Sequence, residues 1–72
     1  MKITYDQKAD AVYIRFVKGK HECRALQLNE DVILNIGPKE TLVGIEILDA
    51  SNVLGLKKPA TIEIENILAK AS

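Results

Sequence analysis

The stretch VILNIGPKETLVGIEI, Val32 to Ile47, decides the fold. Val32, Leu34 and Ile36 alternate with Ile33 and Asn35, and Val43, Ile45 and Ile47 alternate with Gly44 and Glu46. Period-two alternation is the pattern of a strand, because successive side chains point to opposite faces. Gly37-Pro38 breaks the first run, since proline has no amide for a ladder. The link between the two runs is too short for a parallel crossover, so it predicts an antiparallel pair.

The same alternation extends toward the N-terminus. Ile3 and Tyr5 precede a polar break at Asp6-Gln7-Lys8, and Val12, Ile14 and Phe16 alternate with Tyr13 and Arg15. Lys18-Gly19-Lys20 is a turn signal, Leu26 and Leu28 make a third run, and Asn29-Glu30-Asp31 makes the next turn. Short connections throughout predict an antiparallel meander. After Ile47 the period changes: Ala50, Val53 and Leu54 have helical spacing, Asp49 or Ser51 can cap the turn, and Gly55 can stop it. Val53 and Leu54 are expected to lie on the sheet. Further on, Ile62 and Ile64 alternate with Glu63 and Glu65 and predict a sixth strand to about Asn66. Ala60, Ile64, Ile67, Leu68 and Ala71 also fit a helix behind Pro59. The expectation is one small domain over residues 1–72. It is α+β and mainly β: an antiparallel meander of five or six strands with one short helix after the fifth.

Composition narrows the function classes. The chain has 72 residues, 47% hydrophobic and 28% charged, which is a globular composition. Ten basic and ten acidic residues give zero formal net charge. That balance argues against general binding to nucleic acid or anionic membrane. No apolar run has the length of a membrane span. No secretory leader is evident, and a single cysteine makes no internal disulfide, so a cytoplasmic location is expected.

One sheet face collects Ile3, Tyr5, Val12, Ile14, Phe16, Leu26, Leu28, Val32, Leu34, Ile36, Val43, Ile45 and Ile47. The other mixes Tyr13, Val17, Ile33, Leu42 and Leu48 with polar residues, including Arg15 and Glu46. A chain this small rarely builds a sufficient core alone and often recruits a partner. Sheet-on-sheet packing of two copies is therefore expected, with Tyr13, Arg15, Val17, Ile33, Leu42, Glu46 and Leu48 as the interaction face. A chain that folds its own tail back as the cover is the alternative.

Candidate chemistry is sparse. His21 and Cys23 would share one side of a strand, yet two ligands do not complete a zinc site. They also lack the orienting group and oxyanion donors of a nucleophilic site. No catalytic residue, metal site or cofactor is expected. Asp6, Asp10, Glu46 and Asp49 are the acids from which a small metal-binding or hydrolytic domain could be built. Simpler roles serve them equally: an Asx turn at Asp6, a helix cap at Asp49, and a cross-strand pair between Glu46 and Arg15. Lys18, Lys20 and Arg24 cluster near one loop and Lys57-Lys58 follow the helix, without the interleaved aromatics of a single-strand binder.

Two segments together, ITYDQKADAVYIRF (Ile3 to Phe16) and VILNIG with VGIEILDAS (Val32 to Ser51), resemble a family of small prokaryotic proteins. The family is known only as domain of unknown function number twenty-two eighty-three. The motif residues carry over onto Tyr5, Asp6, Asp10, Tyr13, Glu46 and Asp49. The resemblance implies a compact sheet-rich domain and no established activity. Some members are predicted antitoxin components, which implies a small toxin protein as a possible partner. The expected function is a non-catalytic domain acting through protein contacts, as a homodimer.

Overall fold

The computed structural model describes residues 1–56. Five strands form: β1 (Lys2–Asp6), β2 (Ala11–Arg15), β3 (Arg24–Gln27), β4 (Val32–Ile36) and β5 (Leu42–Ile47). A short 3-10 turn, Pro38–Glu40, joins β4 to β5, and helix α1 (Ala50–Val53) follows β5. All neighbouring strands are antiparallel. The fold is therefore the expected open antiparallel meander, mainly β, with one short helix after the fifth strand. The expectations for residues 60–71, a sixth strand or a helix, lie outside the described residues.

The strands lie in the order β1-β2-β5-β4-β3. Two locally connected pieces, β1-β2 and β3-β4-β5, meet along β2 and β5. Lys18-Gly19-Lys20 thus belongs to a connection that runs past the ends of β5 and β4 to the far edge. Three strand spacings amount to roughly 14 Å, and the eight residues from Phe16 to Cys23 can reach roughly 26 Å when extended. Gly19 bends this path at φ 89°, where an L side chain would be strained. Burial explains the order. Val12 and Ile14 on β2 face Ile47 and Ile45 on β5, so the most apolar strands take the centre. All four residues of β3 are exposed, and a short polar strand suits an edge.

Register lays Ile3, Ile14, Ile45, Leu34 and Leu26 in one row across all five strands. Tyr5, Val12, Ile47 and Val32 make the adjacent row. Helix α1 docks at the Val12–Ile47 end, where Ala50 is fully buried and Tyr5, Ile14, Ile45 and Leu56 pack around it. A residue as small as alanine lets the helix backbone approach the sheet. A register irregularity between Asn35 and Ile36 leaves Val43 as the extra residue on β5, buried beside Gly37.

The expected place of Val53 and Leu54 is corrected, and three residues of the apolar face are more exposed than the rest of it. Val53 and Leu54 do not lie on the sheet: they are 41% and 45% exposed, because a single helical turn presents only one residue inward. Ala50 and Leu56 make the contact instead. Phe16 falls just beyond β2, where it is 40% exposed, and Leu26 and Leu28 are exposed on and beyond the edge strand.

Candidate functional site

The acids expected at turns and caps converge on one end of the sheet. Asp6 accepts hydrogen bonds from the amides of Lys8 (3.0 Å) and Ala9 (3.2 Å), closing the β1–β2 turn as an Asx turn does. That turn ends at Asp10, whose φ of 50° lies in the left-handed region that aspartate tolerates better than most residues. This backbone conformation accompanies contacts from Asp10 to helix α1. The Asp10 carbonyl accepts from the Ala50 amide at 2.9 Å. Its carboxylate accepts from the Ser51 amide (3.1 Å), the Ser51 hydroxyl (2.6 Å) and the Tyr5 hydroxyl (2.8 Å).

The helix cap therefore comes from Asp10, not from the side chains of Asp49 or Ser51. Asp49 occupies the N-cap position, but its φ of 50° is not the extended conformation from which a capping side chain folds over the first amides. Its carboxylate instead accepts from the Asn52 side-chain amide at 3.0 and 3.2 Å. Sequence reading placed Asp10 only beside a turn and missed its long-range bond, since the partner is 41 residues away. Ser51, within the DAS segment, was the available signal.

The Tyr5 hydroxyl donates to the Asp10 carboxylate, and this bond, with some desolvation and the carboxylate's charge, raises the phenol above its ordinary value. A raised value means the folded state holds the phenolic proton more tightly. The stability from this bond is complete below about pH 10, the ordinary value, and is lost as pH rises through the higher folded value. Absorbance titration of the phenols should show Tyr5 ionising late, and Tyr5→Phe should remove that step. A Tyr5 transition at or below the ordinary value would contradict the bond.

On the opposite sheet face, Tyr13, Glu46 and Ile33 form one row and Arg15, Gly44 and Asn35 the next. The Tyr13 ring lies over Gly44: a Cβ there would sit 2.7 Å from Tyr13 Cζ and 2.8 Å from the Ile14 carbonyl oxygen. The sequence reading gives Gly44 only as an alternating position of the fifth strand, although a glycine inside a strand marks a close approach. The expected Arg15–Glu46 pair does not form. Register sets Arg15 opposite Gly44 and Glu46 opposite Tyr13, so the two charges are diagonal neighbours. The ion pair found among the described residues joins Arg24 and Glu40, both largely exposed. Leu42 begins β5 near the irregularity, and Val17 and Leu48 lie beyond strand ends. The face expected for interaction thus has a central part, Tyr13, Ile33, Glu46 and Arg15, and three outlying residues.

His21 and Cys23 turn back on their own connection. The His21 ring Nε2 lies 2.8 Å from the Lys18 carbonyl oxygen, and the Cys23 thiol donates to the His21 carbonyl. Among the described residues, no three His, Cys, Asp or Glu side chains gather as a metal would require. Also among them, no helix is long and apolar enough to cross a membrane.

A family model described as "Protein of unknown function (DUF2283)" matches residues 2–51. The chain belongs to this family. The matched segment runs from the first residue of β1 to Ser51, so it contains both ends of the Asp10–Ser51 bond. No curated protein and no solved structure matches the chain.

Proposed function

For this member of a family described only by its unknown function, we propose a non-catalytic binding module that works through protein contacts as a homodimer. The observation that carries the reading is the aliphatic row Ile3–Ile14–Ile45–Leu34–Leu26, which places the proposed contact on the sheet face opposite the one carrying Tyr13, Ile33 and Glu46, where the sequence led us to expect it. The row spans the whole sheet, its first four members are only half-buried, and Leu26 is 43% exposed. Among the described residues only Val12, Val43, Ile47 and Ala50 form buried core, and small domains often recruit a partner to complete theirs. A second copy supplies a complementary sheet face, and sheets stack face to face about 10 Å apart. Zero formal net charge means that two copies do not repel.

The competing reading, a metal-binding or hydrolytic domain, finds less support. Asp6, Asp10 and Asp49 accept hydrogen bonds from their own chain, and Glu46 lies within the sheet face rather than beside them.

Sedimentation velocity at micromolar concentration tests the dimer. The expected result is a species of twice the chain mass. Leu26→Asp should convert it to monomer without changing the far-UV circular dichroism, weakening association by at least about tenfold, because an unpaired charge would be buried. A wild-type protein that stays monomeric would overturn the proposal.

A further inference from the structure

The two outer strands of the open sheet present unequal edges. On β1, charges stand at both ends, Lys2 and Asp6, and charged residues on an edge discourage pairing. β3 lacks such a guard. Its one charge, Arg24, is drawn into the ion pair with Glu40 of the β4–β5 connection. It holds neither proline nor lysine, its register with β4 is regular, and all of its residues are exposed. Among the described residues, no strand pairs with its outer side. The ladder fixes what that side offers. Leu28 donates its amide to the Val32 carbonyl, so Leu28 and, two residues back, Leu26 turn their backbone groups toward β4. Ala25 and Gln27 therefore turn theirs outward. Charge is also divided along this edge. Exposed Lys18 and Lys20 outnumber Glu22 before the strand, and exposed Glu30 and half-buried Asp31 follow it.

An edge that is basic at its start and acidic at its end complements itself when a second copy runs antiparallel, because the start of each strand then lies beside the end of the other. A parallel neighbour would bring like ends together. We propose that β3 pairs with β3 of a second copy, antiparallel about a two-fold axis at Leu26. In this register Ala25 exchanges backbone hydrogen bonds with the partner's Gln27, and Gln27 with the partner's Ala25. The two Leu26 side chains meet at a non-hydrogen-bonded position, where opposed residues lie closer. The aliphatic row that ends at Leu26 continues into the partner's row. This contact goes beyond the face-stacked dimer, since it uses the edge and leaves the face free. The 4 residues of β3 are few against the roughly 20–30 a side of a standard interface. The edge contact is therefore the weaker of the two and joins dimers as concentration rises.

Sedimentation velocity over rising concentration, at low and at high salt, tests this. The wild type should form a species heavier than the dimer, and salt should weaken it by screening the end charges. Gln27→Pro deletes an outward amide without touching the bonds to β4, and should weaken the heavier species about tenfold or more. The double variant of Ala25→Lys and Gln27→Lys sets lysines opposite each other across the contact and should act likewise, with no proline to disturb the fold. Thr4→Lys, on the far edge, should change nothing. If the edge variants turn the dimer itself into monomer, the edge is the dimer contact, which supports this proposal and removes the face-stacked reading. A wild type that stops at the dimer, with edge variants equally dimeric, overturns the proposal and leaves the face-stacked reading standing. A heavier species that survives both edge variants also overturns it, and a wild type monomeric at every concentration overturns both.

Discussion

Asp10→Ala is expected to destabilise the domain by about 2–3 kcal/mol, because it removes an acceptor of three hydrogen bonds and places alanine in a left-handed conformation. At about 4–8 °C per kcal/mol for a domain of this size, the melting temperature should fall by roughly 10–20 °C. Two companion variants separate the causes. Asp10→Gly relieves the backbone strain and should recover part of the loss. Asp10→Asn keeps one acceptor oxygen and tolerates the backbone, so it should fall between wild type and alanine. A double-mutant cycle of Asp10→Asn with Ser51→Ala should show coupling, because the two groups touch. Thermal unfolding followed by circular dichroism reads all of these. A loss within 0–0.5 kcal/mol, typical of an ordinary surface substitution, would mean that the turn and the helix are not joined through this carboxylate.

Gly44→Ala is expected to cost about 1–3 kcal/mol by overpacking, toward the upper end. The added carbon would meet two obstacles, the Tyr13 ring and the Ile14 carbonyl oxygen. The ring can rotate away, but the carbonyl belongs to the neighbouring strand at the centre of the sheet. Combining Gly44→Ala with Tyr13→Ala should therefore recover only part of the stability lost by Gly44→Ala alone. Complete recovery would show that the strands can yield, and no loss in the single variant would show that Tyr13 does not rest on Gly44. Urea denaturation supplies the comparison, provided the slope stays constant.

The strands were legible because alternation is a local signal. Val32–Ile36 matches β4 in full, and β5 begins one residue before Val43. Helix α1 was legible from the change of period, and Gly55 ends it with φ 63°. What was not legible is which strand lies beside which. Alternation in Val12–Phe16 is satisfied equally by β3 or β5 as neighbour, and only the depth of burial on both sides of β2 favours β5. The missed Arg15–Glu46 pair has the same origin: both residues were assigned to the correct face, but a face does not specify register. Asp10 shows a further limit. Its local sequence reads as a turn whether or not a helix start is waiting 41 residues later.

The seam between β2 and β5 sets a timetable for the newborn chain. The hairpin of β1 and β2 is made first, yet its inner neighbour and the serine that meets Asp10 are encoded only at Leu42–Ser51. Until those residues have been synthesised, the flank of β2 is an open edge that other strands could join. Closure thus waits for sequence-distant segments to find each other, a search that slows folding relative to a chain of purely local contacts. Reordering the strand segments so that β5 directly follows β2 should shorten that wait without altering the finished sheet.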